Sequence, residues 1–211
     1  MNESNLAIQS AEPALAGSRQ TETTFGREKA VAIVLKPATQ SDEEFMIAVY
    51  ASSRADEMAM TGWNLEQQDA FLRMQFDAQR RSYLMQLPNA QYWVIRRDEI
   101  AVGRLILDRM PEEIHIVDIA LLPEFRRLGI GSALMKAIME EASEAAKAVR
   151  LHVERFNPAL RWYQRLGFGV VNSGPIYLEM VWRPGSKPSG SREQPVAESE
   201  SEIGSGPCRS I

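Results

Sequence analysis

The chain has 211 residues, 45% of them apolar, and a formal net charge of -4. That length allows one folded domain with tails, and that apolar share supplies a core. The negative balance argues against nucleic acid or an anionic membrane as a general partner, and no apolar run approaches the roughly 18 residues a spanning helix needs.

Residues 1–29 mix Asn, Glu, Ser, Thr and Gln with no sustained period, so they read as a disordered tail. They also lack the basic stretch and apolar core of a secretion signal, and a soluble cytoplasmic protein is the expectation. The folded domain is expected over residues 30–184, beginning with a short strand at 30–36 (A-V-A-I-V-L-K). Ser41-Asp42-Glu43-Glu44 has the form of a capping box and predicts a helix over 42–53. A second helix, capped by Asn64, is predicted over 65–87, with Phe71, Met74, Ala78 and Met85 near one face and Phe76 and Tyr83 alongside. Strands at 92–95 and 101–107 are joined around Arg97-Asp98-Glu99, and another strand runs over 114–121. After the Pro123 stop comes a long helix, whose Ile130, Leu134, Ile138, Ala142, Ala145 and Val149 recur at three- to four-residue spacing. A strand at 151–155, a helix at 158–166 with proline in its first turn, and a hairpin of 168–171 and 176–182 complete the domain. From residue 185 the chain is about half Gly, Ser and Pro, with an E-S-E-S-E run, and 185–211 reads as a second disordered tail. No internal repeat at a solenoid period is present. The order β-α-α-β-β-β-α-β-α-β-β belongs to the α/β (α+β) class.

The chemistry concentrates where strand 114–121 meets the following helix. There Arg126, Arg127, Leu128, Gly129, Ile130, Gly131 and Ser132 form an R-x-x-G-x-G turn. Gly129 and Gly131 permit close backbone approach and unusual φ values. A helix starting there aims unpaired N–H groups, with about half a positive charge behind them, at the turn. Pyrophosphate fits such a cradle, and the two arginines add formal charge. Two other phosphate loops fit poorly: a dinucleotide G-x-G-x-x-G needs glycine where Leu134 stands, and no G-K-[ST] follows.

Downstream, residues 157–168 read N-P-A-L-R-W-Y-Q-R-L-G-F. Together the two motifs resemble the GNAT superfamily of N-acetyltransferases, whose acetyl-CoA motif is Q/R-x-x-G-x-G/A after the fourth strand. The resemblance spans the whole folded region, with its specific motifs in the second half. It implies the GNAT fold: a central mixed, mostly antiparallel sheet of about six or seven strands flanked by about four helices, with strands 4 and 5 splayed around acetyl-CoA. By the same resemblance, main-chain groups near Ile119 and Leu121 pair with the pantetheine arm as a strand edge pairs with a peptide. Asn157 would reach that arm, act as a plain helix cap, or do both. The family pattern places one more residue between Asn157 and Tyr163 than this chain has, while Tyr163 keeps its spacing to Gly167-Phe168.

An amine attacking a thioester releases a thiolate, and Tyr163, with an ordinary pKa of about 10, is the candidate proton donor. The attacking amine must be neutral. His115, Asp118 and Glu154 are the candidate bases; His115 stands near where the histone-acetylating branch carries its glutamate, and its ordinary pKa of about 6.5 suits the task. Asp118 interrupts an apolar strand, so it is either a site residue or a structural hydrogen-bond acceptor. The sole cysteine, Cys208, sits in the tail, so no acyl-enzyme nucleophile is in view and direct transfer in a ternary complex is expected. With two histidines and one cysteine, no metal site is expected.

The acceptor is expected between the first two helices and the last hairpin. In the connection 52–64, Asp56 and Glu57 could hold a cationic amine, with Trp63 as an apolar or cation–π wall. Small amines, amino acids and protein N-termini or lysines are all compatible acceptors, and a homodimer stays open. Two other readings keep the fold: transfer of a longer acyl group, and a CoA-binding sensor or interaction domain without turnover.

Overall fold

Apolar runs rich in Val, Ile and Leu form the strands, and the computed structural model, which describes residues 33–186, gathers them into one sheet. The expected tail 1–29, the first residues of the expected first strand, residues 187–211 and Cys208 lie outside the described residues. In chain order the elements are β1 (Ile33–Pro37), α1 (Glu43–Ser52), α2 (Ala55–Ala59), α3 (Leu65–Gln86), β2 (Gln91–Arg97), β3 (Ile100–Arg109), β4 (Glu113–Leu121), α4 (Ile130–Glu144), β5 (Ala148–Glu154), α5 (Leu160–Arg165), β6 (Gly169–Ser173) and β7 (Tyr177–Trp182). The strand order is β1-β2-β3-β4-β5-β7-β6. Every neighbouring pair is antiparallel except β4 with β5. The expected mixed, mostly antiparallel sheet is therefore present.

Strand residues alternate between faces, so the sheet has two interiors. On one face Leu105, Leu107, Ile114, Ile116 and Ile119 pack with Ile130, Leu134, Met135 and Ile138 of α4. Each such fully buried side chain contributes roughly 1.5–3 kcal/mol relative to exposure. On the other face Tyr83 of α3 meets Ile106 and Val117, while Met46, Ile47 and Tyr50 of α1 pack on Leu72 and Phe76 of α3.

Four local expectations are corrected. Asp42, not Glu44, closes the cap before α1: the Thr39 N–H and hydroxyl donate to Asp42 Oδ2 at 2.8 and 2.7 Å. Those hydrogen bonds, the backbone one foremost, hold the Asp42 carboxyl below its usual range. Glu44 is engaged elsewhere, accepting both ends of the Arg73 guanidinium of α3 at 2.8 Å each. The buried stripe of α3 is Leu72, Phe76 and Tyr83, while Met74 is 57% and Met85 78% exposed. Two overlapping apolar sets run along this helix, and contact with α1 selects the one that can be covered. The 52–64 connection contains a further helix, α2, buried through Met58. Finally α4 ends at Glu144, and Val149 lies in β5. Ala146 adopts a left-handed φ of 53° and Lys147 N–H donates to Ala142 O, a Schellman-type stop without the usual glycine.

Candidate active site

The parallel pairing of β4 with β5 covers only Glu113–Ile116 against Ala148–Leu151. Beyond it, residues 118–121 pair with β3 alone and residues 152–154 with β7 alone. The two strands thus fork, and the β4 main chain past Ile116 faces a β5 that no longer pairs with it. Ile119 and Leu121 lie on this free stretch, their side chains buried in the α4-side core. A bulge sharpens the departure. Ile106 pairs with Asp118 and Leu107 with Ile116, so Val117 is an extra residue in β4.

At the open end of the fork the chain passes through a 3-10 turn (Pro123–Phe125) and curls into α4. Arg127 (φ 61°) and Gly129 (φ 81°) are both left-handed, and Gly129 is the N-cap of α4. The first intrahelical bond there runs from Ala133 N–H to Gly129 O at 3.0 Å, so the amides of Ile130, Gly131 and Ser132 precede the helix ladder. A Cβ built on Gly129 would meet nothing within 4 Å. The glycine answers to its φ, and the space over the helix start is open. Arg126 is half-buried; its Nε donates to Leu121 O at 2.9 Å, tying the turn to the end of β4. Its Nη2 is buried without a hydrogen-bond partner among the described residues. Burial pushes the guanidinium pKa down, against the carboxylates of Glu124 and Asp56. Arg127, Leu128 and Ser132 are exposed. Left-handed turns, an open helix N-terminus and an unsatisfied guanidinium donor together present N–H groups of the kind that bind anions.

Tyr163 lies on the α4 side, fully buried, with its ring 4.9 Å from that of Trp162 and edge-on to Phe168 at 5.8 Å. Asn157 uses its side-chain oxygen locally, accepting from Ala159 N–H at 2.8 Å ahead of α5. His115 and Asp118 occupy the opposite face. His115 is 6% exposed, and its ring sits 5.5 Å from that of His152, edge to face. Burial first, then the neighbouring His152, pushes the His115 pKa down to about 4. Asp118 is ion-paired to Arg104 Nε at 2.6 Å, both side chains almost wholly buried. The Arg104 guanidinium in turn stands 5.3 Å from the Tyr50 ring and 5.8 Å from that of Phe76.

Asp56 and Glu57 project from α2 as exposed residues, and Asp56 is near enough to act on Arg126. Trp63 is 40% exposed and packs edge-on against Phe71 at 5.1 Å. The structure therefore gathers the end of β4, Arg126, the start of α4 and α2 at one end of the sheet, with Tyr163 on one face and His115 with Asp118 on the other. Two residues here went unnamed in the sequence: Arg104 and His152. The first had a readable signal, a lone arginine in the apolar run A-V-G-R-L-I-L; the second had none beyond being the other histidine.

Comparisons with known proteins bear on the family and the fold. Residues 54–168 match the model of the Acetyltransferase (GNAT) family. A curated N-alpha-acetyltransferase of Sulfurisphaera tokodaii is 42% identical over 60 residues, 27% of this chain; the match covers 36% of that relative's length. The fold is similar to that of PaiA N-acetyltransferase from Thermoplasma acidophilum in complex with coenzyme A (TM-score 0.55, 18% identity, 72% of this chain and 99% of that one). It is also similar to histone acetyltransferase HPA2 and related acetyltransferase from Corynebacterium glutamicum (TM-score 0.51, 24% identity, 75% and 98%).

Proposed function

The chain belongs to the GNAT acetyltransferase family, and from that premise we propose that it transfers the acetyl group of acetyl-CoA directly to a primary amine. The observation that carries this reading is the fork of β4 and β5, with an anion cradle built from Arg126 to Ser132 at its open end. In this reading the cradle and Arg126 Nη2 hold the pyrophosphate, the β4 main chain around Ile119 and Leu121, unpaired with β5, holds the pantetheine arm, and Asn157 steadies the loop beside it. Acetyl-CoA supplies a thioester carbonyl. The neutral amine adds to that carbon, the C–S bond breaks, and the Tyr163 hydroxyl gives its proton to the departing thiolate. His115, whose low pKa keeps it neutral at pH 7, is in the form that accepts a proton from the amine, though as a weak base. Asp118, held by Arg104, acts by fixing the β4 bulge at the fork.

For the acceptor we propose the α-amine of a peptide. The likeness to an N-alpha-acetyltransferase supports it. So do the exposed Met60 and Leu65 on either side of the α2–α3 connection and Phe156 after β5, which are 81%, 84% and 96% exposed and offer apolar contact to a chain longer than a small amine. Asp56 and Glu57 then attract the cationic terminus.

A second reading, a CoA-binding domain without turnover, is favoured by the full burial of Tyr163. Thiol release from acetyl-CoA across peptides, free amino acids and polyamines separates the two. Peptides are expected to be turned over, and Tyr163→Phe to lower kcat by about 10²-fold or more with little change in acetyl-CoA affinity. Unchanged turnover in that variant removes Tyr163 as the acid; coenzyme A binding with no turnover on any amine establishes the non-catalytic reading.

A further inference from the structure

Beneath α1 and α3 the sheet bounds a cavity of about 480 Å³, within the roughly 300–1,000 Å³ range of small-molecule sites. Its walls are the first turns of α1, the C-terminal half of α3, and β2 with β3. Gln79, on its wall, lies roughly 20 Å along α3 from the α2–α3 connection, at about 1.5 Å per helical residue. The cavity is thus separate from the proposed acceptor site, although Arg104 in its wall also holds Asp118 at the fork.

Met46, Phe76 and Ile106 give the cavity an apolar floor. Its polar groups converge. The Tyr92 hydroxyl is buried without a hydrogen-bond partner among the described residues, in a protein interior where such a group is normally satisfied. Burial pushes its pKa up, so it remains an O–H donor, while the positive charges of Arg80 and Arg104 act on it in the opposite sense. Both arginines line the same cavity. Arg80 Nη1 pairs with Glu43 at 3.3 Å; Arg104 Nε pairs with Asp118 at 2.6 Å, and its Nη2 donates to Gln79 Oε1 at a long 3.5 Å. A guanidinium has five N–H donors, so these pairs leave donor capacity toward the cavity. Glu43 also stands in the wall and disfavours a doubly charged group such as a phosphate monoester.

We propose that this cavity binds a small monocarboxylic acid with an apolar body. The carboxylate accepts from the Tyr92 hydroxyl beside Arg80 and Arg104, and the body lies on Met46, Phe76 and Ile106. The proposal does not rest on acetyl transfer and is tested without it.

The full chain is titrated by calorimetry and heteronuclear NMR with 3-phenylpropanoate, its neutral amide and 3-phenylpropylamine, each with and without saturating coenzyme A. Saturable binding of the carboxylate is expected, with amide shifts confined to α1, α3, β2 and β3 and an affinity that coenzyme A leaves within about twofold. The amide and the amine should bind about tenfold more weakly or worse, since neither brings a charge-assisted acceptor. Tyr92→Phe should weaken the carboxylate by about tenfold while leaving the melting temperature unchanged or higher, because an unsatisfied hydroxyl is removed. Arg80→Gln, at the half-exposed rim, gives the same reading independently should Tyr92→Phe fail to fold. No saturable binding, equal binding of the amide or amine, displacement by coenzyme A, or full affinity in both variants each overturns the proposal.

Discussion

On the α4 side of the sheet, β3 and β4 present Leu105, Leu107, Ile114, Ile116 and Ile119 to an unbroken apolar layer. On the α1–α3 side, alternate residues of the same strands include Arg104, Asp108, His115 and Asp118, all buried. The first face is held by contact area alone, which is non-directional and tolerant. The second adds to its apolar contacts the buried Arg104–Asp118 pair, where removing one partner costs more than removing both. The bulge at Val117 marks the transition, since it places Asp118 under α1 and α3 and starts the fork from β5.

The largest test of that contrast is Arg104→Met, which strands the Asp118 carboxylate in the interior. A loss of about 3–5 kcal/mol is expected by urea unfolding, and adding Asp118→Leu should recover most of it. If the double variant is as unstable as the single one, the two faces do not differ in this way. Leu134→Ala, in the α4 layer, should cost about 3 kcal/mol through lost burial and a cavity. No single second substitution should rescue it except one that refills the volume.

Proton linkage separates the faces next. The His115 pKa is held at about 4 in the folded protein against an ordinary 6.5, so the unfolded chain binds more protons between those values. The stability it supports is fully present above pH 6.5 and is lost as pH falls toward 4, amounting to about 2 kcal/mol between pH 7.5 and 5. His152, also pushed down by burial and then by Arg150, adds the same sign. Asp108, pushed up by burial, adds the opposite sign, stabilising at acid pH and losing that contribution as pH rises. His115→Gln should therefore flatten the acid limb, whereas Leu134→Ala should shift the whole curve without changing its slope. The smallest effect is expected at the end of α4. Ala146→Gly relieves a left-handed alanine and should stabilise by about 0.5–1 kcal/mol in thermal unfolding, on neither face and at every pH.

Much of this was legible in the residues themselves. The R-x-x-G-x-G turn located a helix start whose glycine cap is left-handed, because φ and N–H orientation are decided within a few residues. Asn64 likewise capped α3 where its side chain could reach Gln67 N–H. The α3 stripe was misread, since two overlapping sets of apolar residues satisfy one helical period equally well. The Ser41 cap was misread because Glu44 had a better partner 29 positions away in Arg73.

Local pattern by itself therefore determined the order of the elements apart from α2, the left-handed helix start between β4 and α4, and the family. Those features depend on backbone preferences and short-range hydrogen bonds that travel with the chain. Only the tertiary structure decided which apolar stripe is covered, that Asp118 is held by Arg104, that His115 is driven neutral against His152, and that Arg80, Tyr92 and Arg104 share one cavity. Burial and charge depend on what lies across a face, and residues that meet there are tens of positions apart with no periodicity linking them.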